Sequence, residues 1–357
     1  MNGASRFTEV RLVLERAVAA RGFPAAVIEV GTGSGPLWRE SLGRLWWDGA
    51  APVAQQDTIF DLASLTKVLA TSLLVMRQVE SQALDLDEPV AANVATWVGH
   101  DRVRVTIRDL LSHCSGLPAY RPLYRQCKGG EAYAQAIGGT ALEYPPRSTA
   151  VYSDLGFILL GLILEREGPL PHQFEALKTR LSPAGDLRFC PPAEWTSRTA
   201  PTQQNAWRDR LLRGEVDDDN AWALGGAAGH AGLFGTASAV GDCARHLLQV
   251  LEGRAGAIGR RTLEECVTRR DEIPDSSRAL GWDTMLPTSS CGRLMSPRAF
   301  GHTGFTGTSL WIDPDQSVYV VLLTNRTHPT ASNELIREVR PAVHDAAMRA
   351  VRTHRPG

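Results

Sequence analysis

Phe60-Asp61-Leu62-Ala63-Ser64-Leu65-Thr66-Lys67 is the stretch from which the rest of the chain can be read. Lys67 is one of only three lysines, with Lys128 and Lys178, among 38 lysines and arginines. An arginine-rich chain can use arginine wherever a permanent cation suffices, whereas a desolvated lysine can give up its proton and arginine in practice cannot. A lysine here therefore suggests a base. Residues 58–63 read as a short strand and turn, and residues 66–79 as one long apolar-periodic helix. Positions three apart share a helix face, so Ser64 Oγ and the Lys67 amine can meet as nucleophile and activator. At a helix N-terminus, free backbone N–H groups favour a developing negative charge and can supply part of an oxyanion hole. Alone the motif is weak, since three lysines would meet a serine at this spacing by chance in roughly one such chain in six.

The composition leaves room for an enzyme and removes several other classes. At 357 residues, 43% hydrophobic and 22% charged, the chain has the make-up of a globular protein with one large domain or two intimately packed ones. A formal net charge of −1, with arginines scattered among acids, provides no bulk attraction to nucleic acid or anionic lipid. No segment approaches a membrane span, and Met1-Asn2-Gly3-Ala4-Ser5-Arg6 leads into an amphipathic helix without an apolar run of signal type, so a cytoplasmic location is expected. The six cysteines are widely spaced and no histidine pair has zinc-ligand spacing, so free, mostly buried thiols are expected and no metal or cofactor.

Working outward, residues 25–30 and 37–47 read as a hairpin around the glycine-rich turn 31–35. Strands return at 280–283, 308–312 and 318–323, the last two joined at Asp313-Pro314-Asp315, and a closing helix is expected over 333–351. The middle reads as mainly helical, with helices at 64–79, 107–113, 154–166 and 237–251 and long loops at 119–139 and 191–223. The expected class is therefore α/β (α+β): an antiparallel sheet built from both chain ends and flanked by helices, with an inserted helical domain. The expected division is 1–63 plus 255–357 for the sheet and 64–254 for the insertion.

Two further groups of residues bear on catalysis. In Val151-Tyr152-Ser153-Asp154, Tyr152 falls in a loop before a helix, where its phenol can face a cleft, and Asp154 can cap that helix; a buried tyrosine and an ordinary cap account for the segment equally well. In Gly301-His302-Thr303-Gly304-Phe305-Thr306-Gly307-Thr308, glycines at a strand edge let a substrate backbone approach, and His302 and Thr303 can contact a substrate carboxylate. A satisfied structural histidine and a plain turn are the alternatives there. His113, His230 and Cys114 read as structural. Trp195, Trp207, Trp222 and Tyr124 can line an acyl pocket or anchor loops.

The order Ser-x-x-Lys, Tyr-Ser-Asp, His-Thr-Gly strongly resembles the serine β-lactamase and penicillin-binding-protein superfamily, in its form with tyrosine, as in class C β-lactamases, D-Ala-D-Ala carboxypeptidases and related carboxylesterases. Asp109-Leu110-Leu111-Ser112-His113-Cys114-Ser115-Gly116-Leu117 and Gly229-His230-Ala231-Gly232-Leu233-Phe234 also look like segments of that family. The resemblance implies a β-lactamase/transpeptidase-like fold and an acyl-enzyme on Ser64. Lys67 would accept its proton, Tyr152 would relay a proton to the leaving group, and the Ser64 and Phe305 backbone N–H groups would form the oxyanion hole. Asp154, His302, Thr303 and Gly304 would bind substrate. Two residues depart from the pattern, Asp154 for the usual Asn and His302 for the usual Lys. A carboxylate beside Lys67 opposes its role as base, unless Tyr152 carries that role or Asp154 points elsewhere. The implied function is hydrolysis of small ester, amide or D-amino-acid peptide substrates. D-Ala-D-Ala carboxypeptidase or β-lactamase action is the alternative within the class, and a non-catalytic binding protein the alternative outside it.

Overall fold

The structure, a computed structural model, describes residues 6–273 and 275–353. The first five residues, on which the expected lack of a signal segment partly rests, lie outside the described residues. Helix α1 (Thr8–Ala19) leads into strands β1 (Ala25–Thr32) and β2 (Gly35–Gly43). The short strand β3 (Phe60–Asp61) precedes the nucleophile segment, and α2 (Ser72–Glu80) follows it. The middle of the chain contains α3 (Ile107–Leu111), α4 (Gly129–Gly138), α5 (Asp154–Leu164), α6 (Leu170–Leu181), β4 (Leu187–Phe189), the two-residue strands β5 (Gln204–Asn205) and β6 (Arg210–Leu211), α7 (Asp219–Ala223) and β7 (Leu233–Gly235). Then come α8 (Ala237–Leu251), α9 (Arg260–Val267), β8 (Asp283–Thr284), β9 (Phe300–Thr303), β10 (Ser309–Asp313), β11 (Val318–Thr324) and α10 (Ile336–Arg352).

The main sheet has the order β2-β1-β11-β10-β9-β8 and every neighbouring pair is antiparallel. Strand β1 lies against β11 from Ala26↔Thr324 to Thr32↔Val318. Period-two alternation sends Ala26, Ile28, Val30, Val318, Val320 and Leu322 into one layer with α1 and α10. Ala25, Val27, Tyr319, Val321 and Leu323 go to the other layer, with α8 and the helical part of the molecule. With both faces covered, β1 is almost wholly apolar. Its one acid, Glu29, is buried and accepts from the Tyr319 hydroxyl at 2.6 Å and from Arg39 Nε at 2.5 Å. This architecture is the expected α/β (α+β) one.

Several local expectations are corrected. The helix expected over 64–79 is continuous from 65 to 80, but Ser64 lies in the turn before it and a π-helical turn, Lys67–Thr71, interrupts the α-helical geometry ahead of α2. The Ser72 amide donates to the Lys67 carbonyl across the wider turn, a local insertion of the kind that often marks functional sites. The threonines hold it in place: Thr71 Oγ1 donates to Gly229 O at 2.6 Å, and Thr66 Oγ1 accepts from the Leu233 amide at 3.1 Å. Within the mainly helical middle, β4 and β7 were not read from the sequence; they form a small sheet with β3, which falls in the short strand read over 58–63. Strands of two or three residues are too short to show a period. Residues 119–139 contain α4 although the sequence reads as loop, because glycines at its start and end mask the apolar spacing of Tyr133 and Ile137.

Candidate active site

Strand β3 carries the chain to the nucleophile by pairing with β7, and the Leu62 amide extends the ladder to Leu233 O at 2.9 Å. Ala63 then takes φ 47°, a left-handed conformation costly for alanine, which turns Ser64 into the cavity. Asp61 fixes this turn. Its Oδ1 accepts from the Ala63 amide at 2.8 Å and its Oδ2 from the Asp217 amide at 2.6 Å. Burial pushes the Asp61 carboxyl up to about 7, with the neighbouring Asp217 adding to the rise. From the far side, Thr306 Oγ1 donates to Asp61 O at 2.7 Å and Thr308 Oγ1 to Leu62 O at 3.0 Å. A Cβ on Gly304 would lie 2.1 Å from Thr308 Oγ1 and 2.6 Å from Leu62 O, so glycine is what lets the β9–β10 connection close on Ser64.

Lys67 lies wholly buried between three oxygens. Its Nζ is 2.9 Å from Ser64 Oγ, 3.0 Å from His230 O and 2.8 Å from Asp154 Oδ1. Burial works against its charge, but the Asp154 carboxylate and the Tyr152 oxygen outweigh it and hold the amine above the ordinary lysine range. Asp154 therefore does not cap α5. Ser153 does, its Oγ accepting from the Gly156 amide, and Asp154 takes the first helical position with its carboxylate turned to Lys67. Tyr152 lies with its ring centroid 5.0 Å from Lys67 Nζ and its hydroxyl toward Lys67 and Ser64. Burial pushes the phenol up, against the pull of the Lys67 charge.

His113 backs this group, with its ring 4.7 Å from that of Tyr152 and its Nδ1 accepting from the Ser153 amide at 3.0 Å. On the opposite side His302 Nδ1 donates to Thr303 O at 2.7 Å, which leaves Nε2 as the bare nitrogen. Burial, with Arg278 and Lys67 nearby, holds His302 well below the ordinary imidazole range, so it is neutral. Neither the Ser64 nor the Phe305 amide enters a backbone hydrogen bond among the described residues. The carbonyl of the Gly304–Phe305 peptide accepts from buried Arg340 Nη2 at 2.6 Å, which fixes the direction of the Phe305 N–H. The next carbonyl, Phe305 O, accepts from Arg326 Nε at 2.8 Å.

These groups share one cavity of about 830 Å³, lined by Ser64, Tyr152, Asp154, His302, Thr303, Gly304 and Phe305. All the residues expected at the site except buried Lys67 line it, and Lys67 is bonded to Ser64 beneath it. Sequence reasoning missed Asp61, Asp217, Asp218, Arg278, Arg326 and Arg340, and it set His230 aside as structural although that residue lines the cavity. The Asp217-Asp218-Asp219 run, within the long loop read at 191–223, was the one available signal; arginines among so many carry none. Tyr124, Trp207 and Trp222 pack on one another, with ring centroids 4.5 and 5.4 Å apart, and Trp195 packs on a small cluster with Ile59 and Val216. These four aromatics do not line the cavity and anchor loops instead. Among the described residues there is no group of three or more His, Cys, Asp or Glu side chains that could hold a metal, and no helix is long and apolar enough to cross a membrane.

The comparisons agree with this geometry. The Beta-lactamase family model matches residues 10–344. The chain belongs to that family. A relative from Salmonella gallinarum (strain 287/91 / NCTC 13346), described as "Putative D-alanyl-D-alanine carboxypeptidase", is 31% identical over 322 residues, 78% of this chain and 72% of that protein. Among solved structures, a penicillin-binding-protein homologue from Caulobacter crescentus superposes with a TM-score of 0.76 over 97% of each chain at 20% identity. EstCE1, described as a hydrolase with promiscuous acyltransferase activity, reaches 0.74 over 96% of this chain and 99% of its own at 22% identity. At these identities the two structures establish the Beta-lactamase fold. The family and the relative's name mark hydrolases of the β-lactamase and penicillin-binding-protein type.

Proposed function

We propose that this Beta-lactamase family member is a serine hydrolase that forms an acyl-enzyme on Ser64 with small ester, amide or D-amino-acid peptide substrates. The 2.9 Å contact between Ser64 Oγ and Lys67 Nζ at the floor of the cavity carries this reading. Substrate enters with its carbonyl oxygen between the Ser64 and Phe305 N–H groups. Among the Ser64 hydroxyl, Lys67 ammonium, Tyr152 phenol and Asp154 carboxylate, only the carboxylate has room for a proton. As Oγ bonds to the acyl carbon, the serine proton therefore moves to Lys67 Nζ while a lysine proton moves to Asp154 Oδ1. Tyr152 then gives its proton to the leaving nitrogen or oxygen as that bond breaks, and the Lys67–Asp154 pair reprotonates the phenol. The serine proton thus ends on the leaving group. Water reverses the sequence to free the acid.

A D-Ala-D-Ala carboxypeptidase reading draws support from Arg278, Arg326 and Arg340, three cavity arginines without a carboxylate partner among the described residues. Arg278 stands 5.1 Å from the Tyr152 ring centroid, on the side where a leaving group departs, and suits a terminal carboxylate together with Thr303. Intact mass after brief exposure to a fluorescent penicillin and, separately, to a p-nitrophenyl ester tests the proposal in the wild type and Ser64→Ala. An acyl adduct confined to the wild type is expected. Ligand binding retained by both proteins, with no adduct and no turnover, would instead indicate a non-catalytic binding protein.

A further inference from the structure

Arg340 of α10 is buried against the β9–β10 connection, where its Nη2 donates to Gly304 O at 2.6 Å and to Thr308 O at 2.9 Å. Neither carbonyl depends on it for a donor. Gly304 O also accepts from the Gly307 amide at 3.1 Å, and Thr308 O from the Gly304 amide at 2.8 Å. The guanidinium has no carboxylate within ion-pair distance among the described residues. Its Nε is buried without a hydrogen-bond partner, and the charge that acts on it is that of Arg326, a like charge. His344, one turn further along α10 and also buried, is held neutral by that burial and brings no negative charge. A guanidinium cannot shed its proton to escape such a place. The fold therefore keeps a nearly desolvated, unpaired cation whose two carbonyl partners the backbone already satisfies, and such a cation costs stability. Its benefit lies elsewhere than in the resting fold.

Resting on the serine-hydrolase reading, we infer that Arg340 is a positioning residue for acyl transfer: its charge, bonded to the Gly304 carbonyl, strengthens the Phe305 N–H at the other end of the same peptide as a donor to the oxyanion. An amide is one conjugated unit, so a cation bonded to its oxygen draws electron density from the nitrogen and makes the N–H a better donor. The bond is already in place in the resting enzyme, so nothing has to reorganise when negative charge develops on the substrate carbonyl oxygen. His302 on β9 is neutral and supplies no such charge. Arg326 bonds to the next carbonyl, Phe305 O, and so acts on the Phe305–Thr306 peptide instead. Because Arg340 works through the peptide, its effect is the same for every acyl and leaving group, unlike that of a residue that holds a substrate carboxylate.

The test uses p-nitrophenyl acetate, which has no carboxylate for Arg340 to hold, on the wild type, Arg340→Met, Arg340→Gln and Arg340→Lys, with Ser64→Ala as the background. Acylation is followed by stopped-flow release of p-nitrophenol, the carbonyl stretch of the acyl-enzyme by infrared difference with an isotope-labelled acetyl group, and folding by thermal melts. The two neutral variants are expected to acylate about tenfold more slowly at saturating ester, a smaller loss than that of a whole oxyanion donor, and Arg340→Lys to recover part of the rate. Their acyl carbonyl stretch should move to higher frequency as the hydrogen bond in the hole weakens. Their melting temperatures should equal or exceed that of the wild type, because an unpaired buried cation has been removed. An unmoved stretch or an unchanged rate in the neutral variants overturns the inference and leaves the serine hydrolase standing. Neutral variants that fail to fold overturn it too, since Arg340 would then serve the fold. If the wild type itself shows no acylation above Ser64→Ala, the hydrolase reading falls and the role of Arg340 falls with it.

Discussion

At the scale of residues, Asp154 determines where the serine proton can go. A lysine paired at 2.8 Å with a carboxylate is an ammonium at rest, so the pair acts as a base only if Asp154 receives a proton. Asp154→Asn is therefore expected to slow acylation by a p-nitrophenyl ester by about 100-fold or more, the usual contribution of a positioned proton acceptor. Acylation at the wild-type rate would mean that Lys67 sheds its proton unaided. Lys67→Arg should lose at least as much, because the cation stays while the ability to pass a proton disappears; labelling of that variant at a normal rate would remove Lys67 from the mechanism. Ser64, Lys67, Tyr152, Asp154, His302 and Thr303 could be singled out because three short motifs, each weak alone, occur together in an order that resembles one family; the structure gathers them around one cavity. The turn of Asp154 toward Lys67 was not legible, because Ser153 and Asp154 are equally good caps on paper and packing chose between them. Arg278, Asp61 and His230 were not legible either, since their roles depend on neighbours more than 100 residues away or on being unpaired among many similar residues.

At the scale of elements, the site depends on backbones that touch. Gly229 and Gly161 of α5 face one another so closely that a Cβ on Gly229 would lie 2.1 Å from Phe157 O and 2.7 Å from Gly161 N. The same contact holds the His230 carbonyl against Lys67 and sets α5, with Asp154 at its start, beside the π-helical turn. Because the obstructing atoms are main chain, Gly229→Ala should cost about 2 kcal/mol or more of stability and weaken acylation as well. Equilibrium denaturation with unchanged stability would show that the two segments can separate freely. Long elements with a clear period, such as α8, β11 and α10, could be located in the sequence to within a few residues. Strands β4 and β7 could not, although β7 aligns the nucleophile turn, because three residues carry no period and their pairing is set by tertiary contacts.

At the scale of the whole molecule, the acids around the cavity make stability depend on pH. Asp217 rises from an ordinary value near 3.9 to about 6 in the fold. A raised acid favours the native state at low pH and loses that contribution as pH climbs through the folded value. The stability difference, Asp217→Asn minus wild type, should therefore become more positive between about pH 4 and pH 6, by at most about 3 kcal/mol. A flat difference across that window in urea denaturation would mean that Asp217 is not held in a desolvated place. The general architecture was legible because the two chain ends carry strong strand patterns and the middle carries helical ones.

The pairing of β1 with β11 joins residues separated by almost the whole chain. On the ribosome, the N-terminal hairpin emerges long before its central neighbour exists, and one strand of its sheet stays unpaired until β11 has been made. Closure of the sheet therefore follows synthesis of the whole stretch between the two strands, and over that interval β1 presents an open edge.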